Sequence, residues 1–107
     1  MAELSGVRIV NDAANLPALP GALAAARRGL QTGGDLRNRE YVAGSVSLDG
    51  LPGDFDSLEF DTQTSGGLLV ALPAERSAVL AASFEAEGLF LALIGRVEEG
   101  SGVEAVA

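Results

Sequence analysis

The chain has 107 residues, 48% of them apolar, and a formal net charge of −8. That is enough apolar material for one small domain with a core, while the acidity opposes binding to DNA or RNA, which needs clustered cations to neutralise phosphates. All seven basic residues are arginines and there is no lysine, histidine or cysteine, which excludes thiolate and imidazole catalysis, Schiff-base and P-loop lysines, disulfides, and zinc sites of the usual nitrogen and sulfur type.

Carboxylates, hydroxyls and amides are what remains for chemistry. The expected core is Leu, Val, Ile and Ala with Phe55, Phe60, Phe84 and Phe90. No apolar run approaches the length of a membrane span, and the start of the sequence has no basic, apolar, cleavable leader, which reads as cytoplasmic.

In chain order, Met1 to Gly6 reads as the last turn of a helix ended by glycine, and Val7-Arg8-Ile9-Val10 alternates as a half-buried strand does. Asn11 to Asn15 reads as a turn, and Leu16 to Gly21 as an extended connector, because each proline biases the residue before it away from helix. Ala22 to Arg28 has helix formers and stops at Gly29. Leu30 to Arg39 reads as a loop with paired glycines, Gly33-Gly34, carrying Arg37, Asn38 and Arg39. Guanidinium and amide groups suit a phosphate or carboxylate, and the plainer reading pairs the arginines with Asp35 or Glu40 on a solvated surface.

Tyr41 to Leu48 alternates loosely as a strand would, and Asp49 to Asp56 has the composition of an exposed loop. The carboxylates Asp49, Asp54, Asp56, Glu59 and Asp61 are dense, but their spacing does not match a calcium-binding loop, so they read as solvated and no metal ligand is assigned. Asp61 to Gly67 is a polar, glycine-ended loop feeding Leu68 to Leu72, which is apolar on every position and so expects cover on both faces. Its glycines permit close backbone approach and its hydroxyls and N–H groups could cradle an anion.

Ala74 to Glu87 has amphipathic helical spacing closed by Gly88, and Leu89 to Ile94 is again apolar on both faces. Strand, helix and strand predict a right-handed βαβ unit with both strands interior. Glu98 to Gly102 reads as a flexible acidic turn and Val103 to Ala107 as a short edge strand.

At this point the residues carry a resemblance. Asp61-Thr62-Gln63-Thr64-Ser65-Gly66-Gly67-Leu68-Leu69, followed a helix later by Ile94-Gly95-Arg96-Val97, resembles the C-terminal domain of selenide, water dikinase (selenophosphate synthetase). Upstream, Leu16 to Leu23 and Thr32-Gly33-Gly34-Asp35-Leu36-Arg37-Asn38 resemble family segments in the same order. Thr32 and Thr62 stand where the family has proline, and Asp35 where it has threonine; these changes loosen turn geometry without removing a reactive group.

The resemblance implies an α+β class, a mixed sheet with helices packed on it, partly ferredoxin-like and shared with aminoimidazole ribonucleotide synthetase, with the βαβ unit at its C-terminal end. It implies a single domain over 1–107, incomplete at the N-terminus, since Met1 to Val7 looks like the end of a helix that the family begins earlier. The family reaction joins ATP, selenide and water to give selenophosphate, AMP and phosphate. Its Cys or selenocysteine, its Lys, and the aspartates for ATP and magnesium have no counterpart in this sequence, so the chain is expected to be inactive alone, with no catalytic residue of its own.

Gln63, Thr64, Ser65, Gly66 and Gly67, with Arg37 and Asn38, are the residues expected to face the family's cleft. The expected partners are the missing N-terminal domain or a second copy in a homodimer, with neither nucleic acid nor membrane. The alternative is a free-standing small-anion-binding or protein-interaction module without catalysis.

Overall fold

A computed structural model describes residues 1–63 and 66–107. The fold is α+β: five helices and a four-stranded mixed sheet of order β2-β4-β1-β3 among the described residues. Helix α1 (Ala2–Ser5) is one turn, ended by Gly6 at φ 62° and ψ 38°, whose N–H donates back to the carbonyls of Ala2 and Glu3. That left-handed residue is the glycine stop expected from sequence, and it turns the chain directly into β1 (Val7–Asp12).

The β1 strand is the centre of the sheet. Along one edge it runs antiparallel to β3 (Gly95–Glu99), with Val7 opposite Glu99 and Asn11 opposite Gly95. Along the other it runs parallel to β4 (Gly102–Val106), which in turn pairs in parallel with the two-residue β2 (Val46–Ser47). Val10 and Ala105, each 1% exposed, lie at the middle of this arrangement with Ala13. Arg8 and Glu98 face each other across the β1–β3 pair, with Nη2 and Oε2 2.6 Å apart, and Arg96 Nε also donates to Glu98. Both arginines hold the Glu98 carboxyl below the usual carboxylate range, the Arg8 hydrogen bond most strongly.

Several segments differ from their sequence reading. Asn11 and Asp12 continue β1, and only Ala13–Asn15 turns, as one 3₁₀ turn capped by the Asp12 carboxylate accepting from Ala14 N. Helix α2 (Ala22–Arg27) forms as expected, but half of the loop expected at Leu30 to Arg39 is helix α3 (Asp35–Tyr41), and the exposed loop expected at Asp49 to Asp56 runs into helix α4 (Gly53–Phe60). The physical reason is shared: Gly, Pro and Asp mark loops, but they also mark helix starts, where acidic side chains meet the positive end of the helix dipole. Asp35, Asp54 and Asp56 all lie in first turns. Val103 to Ala107, read as an edge strand, is β4 in the sheet interior, and Glu98 and Glu99, read as a turn, belong to β3.

The largest correction concerns the βαβ unit. Helix α5 (Ala74–Ala86) forms, closed by Gly88 at φ 65°, but none of its residues is buried. Neither Leu68 to Leu72 nor Leu89 to Ile94 is a strand of the sheet. Leu68 is 96% exposed and Phe90 74%. A single bond, Asp12 N donating to the Ile94 carbonyl at 2.8 Å, carries the β1–β3 ladder one step past Gly95. Apolar residues on both faces of a run state a need for cover without naming what supplies it, and no described strand pairs with these runs.

Close packing at one glycine sets the β1–β3 register. A Cβ on Gly95 would collide with the Val10 carbonyl oxygen and crowd Asn11 Cα, whereas one on Gly33 meets open space. Gly95→Ala is therefore expected to cost about 1–3 kcal/mol, read as a lower urea midpoint at unchanged slope. Gly33→Ala should stay within about 0.5 kcal/mol of the parent. Equal midpoints for the two variants would refute the close-approach account.

Candidate functional site: a cleft where two loops meet

Helices α3 and α4 are joined by one arginine. Arg39 Nε donates to Asp35 Oδ1 at 2.7 Å, one helical turn back, and Nη1 donates to Asp56 Oδ1 at 2.6 Å on α4. The guanidinium carbon lies 4.3 Å from the centre of the Phe60 ring, which is itself buried. Asp35 is 5% exposed, and its hydrogen bond is the chief reason that Arg39 is held even more firmly in its charged form. Asn38, on the next position of α3, donates its side-chain N–H to the Phe60 carbonyl at 2.9 Å and so caps the end of α4. Arg27 reaches from α2 to Asp54 at 2.8 Å. Two of the five carboxylates in the acidic cluster of the sequence, Asp54 and Asp56, are thus paired with arginines.

The chain leaves α4 into the signature loop, and there the two glycine loops touch. Thr62 N donates to Thr32 Oγ1, and the Thr32 hydroxyl is 3.3 Å from Thr62 Oγ1. Gly34 packs so closely beneath Thr62 that a Cβ would collide with its hydroxyl. Between this junction and the Leu16-Pro17 connector lies a cleft of about 430 Å³, lined by Leu58 and Glu59 at the end of α4, by Asp61, Thr62 and Gln63 of the loop that follows, and by Asn38 of α3.

The structure brings together only part of the expected set. Asn38 and Gln63 line the cleft. Arg37 is exposed on α3 and is not among the lining residues. Gly66 and Gly67 are exposed with open space around them, so the tight entry into a buried strand expected of them is not formed. Thr64 and Ser65 lie outside the described residues. Sequence reasoning missed Thr62 and Glu59 as cleft residues. Thr62 belonged to the signature run, and Glu59 was seen only as one carboxylate of a cluster.

Glu59 is the unusual group of the site. Its Oε1 is buried without a hydrogen-bond partner among the described residues. Burial first, and the nearby Asp56 charge second, push its carboxyl above the usual range. Two carboxyl groups, two amides and a hydroxyl around the cleft can hydrogen-bond a polar group, and the Asp61 carboxylate opposes a phosphate there. Among the described residues no three metal-ligating side chains are grouped to hold an ion.

Comparison with known proteins places the chain. It is 38% identical over 100 residues to the selenide, water dikinase of Caldanaerobacter subterraneus subsp. tengcongensis, covering 92% of this chain and 29% of that protein. The selenide, water dikinase of Porphyromonas gingivalis is 38% identical over 89% of this chain, and selenide, water dikinase 2 of Peptoclostridium acidaminophilum is 33% identical over 91%. This chain is homologous to part of the selenide, water dikinases. It spans a little under a third of the length of the curated relatives it matches. No family model matches it. The matches cover nearly the whole chain, as the sequence resemblance does, cleft included.

The Glu59 environment has a pH signature. Because its folded-state pKa is raised, the folded protein holds a proton that the unfolded chain has released, in the window from the ordinary glutamate value upward. Stability therefore falls as pH rises through that window. Glu98 acts in the opposite sense, its contribution being lost as pH falls through its depressed folded value. Glu59→Gln should remove the first effect, raising stability at neutral pH by roughly 1 kcal/mol with no gain below the ordinary glutamate pKa. Urea unfolding at several pH values checks this, and a gain independent of pH would contradict it.

Proposed function

We propose that this chain is the C-terminal portion of a selenide, water dikinase, a single incomplete domain that supplies scaffold and one wall of the reaction cleft and does no chemistry alone. The observation that carries the reading is the Thr32–Thr62 contact, which joins two loops of the family resemblance around one cleft. The matches run through both loops. Asn38 and Gln63 present amide groups to that cleft, and Thr64 and Ser65 follow Gln63 in sequence.

The family reaction as the resemblance implies it consumes ATP with magnesium. The residues here do not fit that metal: no suitable ligand group is present among the described residues, and Glu59 is a poor ligand because burial holds its carboxyl toward the neutral form. Nor do they fit the phosphates, since no arginine is among the residues lining the cleft and Asp61 is. The cations and the nucleophile come, on this reading, from the polypeptide that this chain does not span. The same electrostatics argue against an independent small-anion module. A homodimer of the assembled enzyme is compatible with the reading.

The test is a chimera in which this chain replaces the matched portion of the Caldanaerobacter enzyme, assayed for selenide-dependent formation of AMP from ATP. The chimera is expected to turn over and the isolated chain to show none. Gln63→Ala in the chimera should lower kcat/KM about tenfold, the worth of one lost hydrogen bond. A folded chimera as inactive as the isolated chain would overturn the proposal.

A further inference from the structure

The outer edge of β3 is open: in the order β2-β4-β1-β3 no described strand lies beyond it. The phase of that edge follows from the bond between Asp12 N and the Ile94 carbonyl. In an antiparallel ladder hydrogen-bonded pairs alternate with non-hydrogen-bonded ones, so the positions of β3 that exchange bonds with β1 are Arg96 and Glu98, opposite Val10 and Arg8. The backbone N–H and C=O groups of Gly95, Val97 and Glu99 therefore point away from β1. A five-residue strand with its outward groups unpaired is a template for another strand.

We propose that β3 pairs antiparallel with the β3 strand of a second copy of this chain, about a two-fold axis at Val97. The two four-stranded sheets then join into one across an interface that is the same surface on both copies. This inference stands apart from the functional reading above.

Three observations favour a second copy. First, the register uses the whole edge. With Val97 opposite the partner's Val97, Gly95 stands opposite the partner's Glu99, and these are the positions whose backbone groups point outward. Second, the charges are self-complementary. The same register sets Arg96 opposite the partner's Glu98, and Glu98 opposite the partner's Arg96, at the closer spacing of non-hydrogen-bonded pairs, where opposite charges stabilise a sheet. Arg96 engages its own Glu98 through Nε, and its Nη groups can serve the partner's carboxylate. Glu99 meets a glycine, so no like charges face each other. Third, two copies that each carry a net charge of −8 repel one another, yet they would meet on a neutral patch. Arg8, Arg96, Glu98 and Glu104 are joined by ion pairs on one face of the sheet, two cations against two anions. On the other face Val97, which is 50% exposed, gains cover from its counterpart.

Sedimentation equilibrium of the chain should give a dimer mass at about 0.1 mM. Arg96→Glu places like charges opposite each other at both crossings and should raise the dissociation constant at least about tenfold. Arg28→Glu, the same change of charge at an exposed residue ending α2, should leave it within about twofold of the parent. The second measurement uses the absence of cysteine from the chain. Opposed residues on the axis have Cα atoms about 5.5 Å apart, within the span of a disulfide. Val97→Cys should therefore cross-link to a dimer on mild oxidation at least about tenfold faster than Leu19→Cys, whose residue is 80% exposed on the connector. If Arg96→Glu does not fold, the Val97→Cys cross-link decides. A monomer mass at every concentration overturns the proposal. A dimer that survives Arg96→Glu, or that cross-links no faster through Val97→Cys than through Leu19→Cys, also overturns it and assigns the association to another surface.

Discussion

The fold depends on one strand being paired along both edges. β1 lies near the start of the chain, yet its partners β3 and β4 come from the end. Closing that loop costs conformational entropy, which grows slowly with length but must be spent before the ladder returns anything. The return is concentrated at a few positions: Val10 and Ala105 buried at the centre, Gly95 allowing β3 to press against the Val10 carbonyl, and the Arg8–Glu98 pair across the ladder. The ion pair is partly exposed, so it contributes register more than stability. Everything between β1 and β3 is held at its two ends by this sheet.

Within that long excursion a second and smaller organising unit forms around Arg39. Its guanidinium satisfies a buried Asp35, reaches Asp56 on the neighbouring helix and lies over Phe60. Arginine suits this post because its planar fork serves two carboxylates while its face stacks on a ring, which a lysine could not do. The consequence extends beyond packing. By fixing α3 against α4, Arg39 places Asn38 at the end of α4 and so determines where the Asp61-Thr62-Gln63 loop leaves the helix.

What was legible in the sequence follows from how local each signal is. Gly6 as a helix stop, the alternation of β1 and the extents of α2 and α5 depend on neighbouring residues and emerge as read. Helices α3 and α4 were misread because Asp, Gly and Pro have two meanings, and only the i,i+4 pairing of Asp35 with Arg39 and the contact with Asp56 select the helical one. The interior position of β4 could not be seen, since Val103 to Ala107 says nothing about having β2 on one side and β1 on the other. At the cleft, the Gln-Thr-Ser-Gly-Gly run announced the loop, but the Thr32–Thr62 contact joins residues thirty positions apart. No local pattern encodes it. Glu59 was hidden for a related reason: its burial is a property of the surroundings and not of its own segment.

The cleft and the apolar run Leu68–Leu72 are linked through one short stretch of chain. Residues 61–63 line the cleft, and five residues after Gln63 the run begins at Leu68. A partner that fixes Leu68 to Leu72 as a strand must also fix the exit of the loop, because so few residues separate them and an extended chain gains only about 3.3 Å per residue. On the proposed reading, then, covering the apolar run Leu68–Leu72 and completing the cleft are one event. The glycine pair at 66 and 67 supports that view: both are exposed with open space around them, a poor investment in the isolated chain. They are apt where an incoming backbone must pass close to the junction of loop and strand.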